Sequence, residues 1–195
     1  VDSVQVEENV ATISFNDGKV RGKITFLEDG IFRYNVDPSG EFSEYPAYRS
    51  GYPTSGKIVA QPDSSDRYAK PEVSATKKQN SNYEIKSGTT TIEFDQNAAM
   101  TVKSNGTVVM QESKPLQFNT SSTVQTLVQH TEFSNTSASV AEQFYGGGTQ
   151  NGRMVHTGEV INIENESNWV DGGVSSPNPF YYTTNGYGVL RNTWM

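Results

Sequence analysis

A chain of 195 residues with formal net charge −7, from 15 Lys and Arg against 22 Asp and Glu, makes a poor ligand for nucleic acid, whose affinity comes from basic side chains neutralising phosphates. Cysteine is absent, which excludes disulfides, cysteine–zinc sites and thiol catalysis; no apolar run approaches the twenty residues of a spanning helix, and no charged-then-apolar leader pattern occurs. Hydrophobic residues are only 33% of the chain, but 10 Tyr and 9 Phe bring enough apolar area for one sizeable core, so 1–195 is expected to form one domain.

Alternating runs of β-branched and aromatic residues recur at 10–15, 23–26, 31–36, 83–86, 89–94, 100–103, 107–111, 123–129 and 187–191. A period of two over these lengths predicts strands. Between them stand Asp17-Gly18, Asp29-Gly30, Ser87-Gly88, Asn105-Gly106 and Asn185-Gly186, turn pairs in which glycine supplies a positive φ. The pattern is that of an antiparallel meander folded into an all-β sandwich. No stretch of twelve residues carries a capped 3.6-residue apolar stripe, so few helices are expected. Residues 38–71 break the rhythm with Pro38 and four further prolines, which predicts a long excursion holding one isolated strand at 57–60. Lys77-Lys78, the one adjacent basic pair, reads as solvated loop.

Gly146-Gly147-Gly148-Thr149-Gln150-Asn151-Gly152 has neither the spacing nor the following helix of a dinucleotide fingerprint, and it lacks the carboxylate of a calcium β-roll. Two readings stay open: a glycine bulge that only turns a strand, and a bulge that carries Gln150 and Asn151 to a pocket rim. His130 and His156 lie far apart without metal-ligand spacing, so neither a metal nor another cofactor is expected. His130 fits a hydrogen-bonded structural role. His156, in the glycine- and amide-rich region, either does the same or faces a ligand. No G-x-S-x-G elbow is present.

In Asn168-Trp169-Val170-Asp171-Gly172-Gly173 an indole stands beside a carboxylate between flexible residues. An indole face stacks on sugar rings and a carboxylate accepts hydrogen bonds from vicinal hydroxyls, which suits carbohydrate. The alternative is a Trp anchoring the loop while Asp makes a turn bond. Abundant Asn, Ser, Thr and Tyr point to the cell exterior. The sequons at Asn105, Asn119, Asn135 and Asn165 matter only in a eukaryotic secretory pathway.

Together, Tyr145-Gly146-Gly147-Gly148-Thr149, Trp169-Val170-Asp171, Pro179-Phe180-Tyr181, Gly186-Tyr187-Gly188-Val189 and Asn192-Thr193 resemble, in order and spacing, the amino-terminal β-sandwich of glycoside hydrolase family 31, the α-glucosidase family. The block covers about a quarter of the chain. Thr149 stands where α-glucosidases usually have Glu, a variant similar to bacterial α-glucosyltransferases, including cycloalternan-forming enzymes, and to α-N-acetylgalactosaminidases.

The resemblance implies a galactose-mutarotase-like supersandwich, cut short at its C-terminal end, from a secreted bacterial enzyme. It implies a retaining carboxylate pair in a (β/α)8 barrel that this chain does not contain, so the chain alone is expected to be inert. The implied partners are that barrel and an α-linked oligosaccharide, and self-association of the isolated chain is expected. The sandwich lends a loop to the barrel mouth. Asp171 is implied to bind sugar hydroxyls there and Trp169 to shape the wall, with Gln150, Asn151 and His156 on the same rim. The rival readings are a free-standing carbohydrate-binding module and a cell-surface adhesion domain.

Overall fold

The computed structural model describes residues 1–15, 17, 18, 20–37, 40, 42, 68–79, 82–112, 114, 117–119, 126–128, 142–150, 154–161 and 174–190. They belong to two compact units, Val1–Thr131 and Glu132–Met195. Strands dominate both, and among the described residues there is no α-helix. No helix there is long and apolar enough to cross a membrane.

The first unit is built from two meanders. β1 (Ser3–Glu7), β2 (Val10–Phe15), β3 (Val20–Glu28) and β4 (Ile31–Asp37) pair in chain order, each antiparallel to the next. So do β5 (Ser74–Lys77), β6 (Tyr83–Ser87), β7 (Thr90–Phe94), β8 (Met100–Ser104) and β9 (Thr107–Gln111). Two short strands, β10 (Gln117–Asn119) and β11 (Thr126–Val128), pair with each other.

Alternation selects the buried face. In β2 it turns Ala11, Ile13 and Phe15 inward and leaves Val10, Thr12 and Ser14 partly exposed. Across the second sheet the register lines up Ile85, Ile92, Val102 and Met110 as one buried row, and Tyr83, Phe94 and Met100 as another. Burying each such side chain contributes about 1.5–3 kcal/mol. The rows meet side chains of the first sheet: the Phe15 ring stands edge-on to Phe94 at 5.9 Å, and Tyr34 lies 6.1 Å from the same ring. Gly22 is small for the same reason, since a Cβ there would come within 2.9 Å of the Phe15 ring. This is the face-to-face sandwich that the alternating pattern predicts.

Polar groups close the margins of that core. Asn9 Nδ2 donates to the Phe26 carbonyl at 2.6 Å, and the Phe26 amide donates back to the Asn9 carbonyl at 2.9 Å. Tyr83 Oη donates to the Asp2 carbonyl at 3.0 Å, bridging the two sheets. Buried Glu112 accepts from the Met100 amide at 2.9 Å. Burial, aided by the Glu112 charge, pushes the Tyr34 phenol far above its ordinary pKa. The hairpin from Ser104 to Thr107 turns through Asn105 at φ 49° and Gly106 at φ 80°, the two positive φ values of a type I′ turn.

The structure differs from the sequence expectation mainly by addition. β1 and β5 are edge strands with little buried surface, so they leave no clear inside–outside pattern to read. Of the run at 123–129, the described residues form β11 (Thr126–Val128), and the remainder lies outside the described residues. The strand expected at 57–60 lies outside the described residues.

Candidate functional site

The second unit centres on an antiparallel sheet of β12 (Phe144–Gln150), β13 (Val174–Thr183) and β14 (Gly188–Leu190), in the order β12-β13-β14. The glycine run lies inside β12 and does form a bulge. Gly146, Gly147 and Gly148 take φ values of 111°, 74° and 89°, and the register slips between Gly146 opposite Tyr181 and Gly148 opposite Pro177. A side chain is also excluded by space, because a Cβ on Gly146 would lie 2.6 Å from the Phe180 carbonyl oxygen. β13 escaped the sequence reading because it contains Pro177 and Pro179. Pro177 is tolerated opposite the bulge, where the ladder is already interrupted, and β14 pairs only with Phe180, Tyr181 and Tyr182.

Beyond the bulge the strands rejoin, with Gln150 paired to Val174. The end of β12 that runs into Asn151 and the start of β13 that emerges from the Asp171 segment therefore lie side by side at one end of the sheet.

The two faces of this sheet differ. On one, Tyr145 stacks on Tyr182 at 5.4 Å with 18° between planes, and Phe180 lies 6.3 Å from Tyr182. Phe180, Tyr182 and Leu190 keep 43%, 50% and 66% of their surface exposed. The other face carries Phe144, Tyr181 and Tyr187, whose rings lie 6.0 Å (Phe144–Tyr181) and 6.5 Å (Tyr181–Tyr187) apart.

Opposite the Gln150–Val174 end, a polar knot ties the β13–β14 turn to the start of β12. Gln143 donates its amide to Thr184 Oγ1 at 3.0 Å and accepts the Thr184 amide at 3.1 Å. Both Glu142 carboxylate oxygens, Asn185 Nδ2 and the Tyr187 hydroxyl are sequestered from solvent without a hydrogen bond of regular geometry. The Tyr187 phenol is pushed well above its ordinary pKa by burial first and by the facing Glu142 charge second. Sequence reasoning missed this group, since nothing near Glu142 in the chain signals that it will be covered.

Residues 154–161 run along the outer edge of β12 as a strap. The His156 amide donates to the Phe144 carbonyl at 2.8 Å, and the Phe144 amide donates to Thr157 Oγ1 at 3.2 Å. His156 Nδ1 lies 3.1 Å from Glu159 Oε2, with the imidazole side chain only 9% exposed. Of the five candidate site residues, His156 is thus seen in full, as a fastener of this strap. Gln150 is seen as the last residue of β12, its side chain outside the described residues. Asn151, Trp169 and Asp171 lie outside them, as does His130.

Elsewhere, a surface groove of about 330 Å³ on the first unit is bordered by Lys78, Asn82, Glu84, Glu93, Asp95 and Thr101. Glu84 sits directly opposite Glu93, a repulsive placement relieved by Lys78 at 3.0 Å from Glu84 and Lys103 at 2.7 Å from Glu93. The two rings that border it, Tyr83 and Phe94, are buried. No group of three or more His, Asp or Glu among the described residues is arranged to hold a metal ion.

Architecture and bulged sheet together define an all-β domain of the galactose-mutarotase-like kind. The model of the glycosyl hydrolase 31 N-terminal galactose mutarotase-like domain matches residues 21–195, and the chain belongs to that family. Among solved structures it is similar to a GH31 α-xylosidase from a soil metagenome, crystallised with xylose, at a TM-score of 0.57 and 14% identity. That alignment covers 96% of this chain and 27% of the xylosidase chain, a likeness of fold. No curated protein matches the sequence.

Proposed function

We propose that this domain is the amino-terminal accessory part of a larger glycosidase that hydrolyses or transfers α-linked glycosyl groups, and that the segment between β12 and β13 contributes to its substrate site. The observation that carries the reading is the Gln150–Val174 pairing beyond the glycine bulge, which brings the chain entering Asn151 and the chain leaving Asp171 to one end of the sheet. Family membership supports the glycosidase context.

In this reading catalysis belongs to a barrel outside the chain, where two carboxyl groups about 5 Å apart perform a retaining displacement. Asp171 accepts hydrogen bonds from sugar hydroxyls and Trp169 forms a wall against a ring face. Gln150 and Asn151 line the same rim. His156, engaged with Glu159 and largely covered, serves by holding the strap rather than by touching sugar. Thr149, in place of the acid usual in α-glucosidases, favours a transferase or an N-acetylgalactosamine-directed enzyme over a simple α-glucosidase, in a secreted bacterial setting.

The test is Asp171→Ala in the full-length enzyme, assayed on aryl α-glucosides, α-xylosides and α-N-acetylgalactosaminides. A fall in kcat/KM with an unchanged melting temperature supports the reading. Unchanged kcat/KM with a lowered melting temperature would make Asp171 a turn residue and remove it from the site.

A further inference from the structure

The β8–β9 hairpin ends in Asn105-Gly106, a pair that can react with itself when the asparagine carboxamide and the following amide nitrogen are both accessible. Residues 104–107 are all exposed, and a Cβ built on Gly106 would meet nothing within 4 Å. The main-chain amide of Asn105 is anchored on the Thr89 carbonyl at 2.9 Å, but among the described residues neither the Asn105 carboxamide nor the Gly106 amide has a hydrogen-bond partner. Asn185-Gly186, the other Asn-Gly pair among the described residues, is the opposite case. Its Asn185 Nδ2 is sequestered from solvent, and its Gly186 amide donates to the Thr183 carbonyl at 3.1 Å. The Asn185 amide donates to Thr183 Oγ1 at 3.1 Å, so the main chain there is fastened as well.

We propose that Asn105 is a site of spontaneous covalent modification, through a succinimide to aspartyl and isoaspartyl products, and that the isoaspartyl product unfastens β9. When the exposed hairpin tip opens locally, the Gly106 nitrogen gives its proton to solvent and attacks Asn105 Cγ. The N–Cγ bond forms, the Cγ–Nδ2 bond breaks, and Nδ2 leaves as ammonia with a proton taken back from solvent. One water then opens the imide on either side. Cleavage at Cγ leaves an aspartate in the normal chain; cleavage at the main-chain carbonyl routes the chain through Cγ. The first product keeps the turn, because Asp-Gly also takes the two positive φ values of type I′. The second adds a methylene to a two-residue loop whose flanks, Ser104 and Thr107, face each other in the ladder. β9 stands at the margin of its sheet, paired with β8 alone among the described strands. Beyond the altered turn lie Met110, buried opposite Val102, and the reciprocal Met100–Glu112 hydrogen bonds, which depend on that pairing.

Ageing resolved by position tests this. The full chain is held folded at mildly alkaline pH and then digested with trypsin, which places Asn105 in the peptide Ser104–Lys114 and Asn185 in Met154–Arg191. Mass spectrometry follows the deamidated product, and an isoaspartyl methyltransferase marks the isoaspartyl share. Product is expected at 105 about tenfold or more faster than at 185, where bonded and covered groups must first be released by local opening. Asn105→Gln should stop it, since the longer side chain has to close a six-membered ring. No product at 105, or equal rates at the two positions, overturns the site. For the consequence, the isoaspartyl form is isolated and compared with the Asn105→Asp variant by hydrogen exchange. The amides of β9 should lose protection in the isoaspartyl form and keep it in Asn105→Asp, whereas equal protection in the two overturns the unfastening.

Discussion

The Asp29 carboxylate clips the turn of one sheet to the turn of the other: its Oδ1 accepts the Thr89 hydroxyl at 2.6 Å and the Thr89 amide at 2.9 Å. Asp29 closes the β3–β4 hairpin and Thr89 the β6–β7 hairpin, sixty residues later. The Thr89 hydroxyl and then its amide hold the Asp29 pKa below the ordinary carboxylate value. A depressed folded-state pKa gives stability that is present above the unfolded value and lost as pH falls through the folded one. Asp29→Asn should therefore lower the melting temperature near neutral pH and flatten its acid dependence. Parallel acid profiles for the two proteins would show that the clip contributes nothing.

Ile92 sits fully buried between Ile85 and Val102 in the central row of the second sheet. Ile92→Ala should cost about 2–5 kcal/mol, from lost transfer energy and the cavity left behind. Urea unfolding followed by circular dichroism measures it, and a loss below about 1 kcal/mol would mean that the two sheets collapse onto the gap.

Tyr34 and Tyr187 carry pKa values raised by burial, with Glu112 and Glu142 adding to the effect. A raised folded-state pKa gives stability that is complete below the unfolded value of about 10 and disappears as pH rises through the folded one. The protein should lose stability in alkali, and Tyr34→Phe with Tyr187→Phe should reduce that loss. Ultraviolet titration of phenolate checks the premise: two tyrosines fewer should ionise before unfolding in the wild type than in a fully exposed chain.

In the full-length enzyme, Asp171→Ala should reduce kcat/KM by the equivalent of about 1.5–3 kcal/mol, the worth of a hydrogen bond to a charged group. The isolated chain should turn over no aryl α-glycoside at all. Turnover by the pure chain that Asp171→Ala abolishes would return catalysis to this domain.

Strands with one buried face were legible in the sequence. β2, β6, β7 and β8 alternate because one side packs against the opposing sheet, and Asn105-Gly106 marks the turn where the chain reverses. β1 and β5 were not, since an edge strand exposed on both faces imposes little pattern. β13 was hidden by prolines that only the neighbouring bulge makes acceptable. At the candidate site the bulge was readable from three glycines, whereas the Glu142–Tyr187 knot and the approach of Ile161 to Gly147 depend on which distant residues fold over them. Covalent order alone does not reveal that.

The strap has a consequence for how copies of this domain could stack. By occupying both the amide and the carbonyl of Phe144, it leaves the start of the β12 edge with nothing for an incoming strand to grasp there. The opposite margin, β14, ends on a solvent-facing Leu190. Among the described residues the two margins of this sheet thus differ in their readiness to accept another strand, and Leu190→Lys would set a gatekeeper charge at the β14 margin.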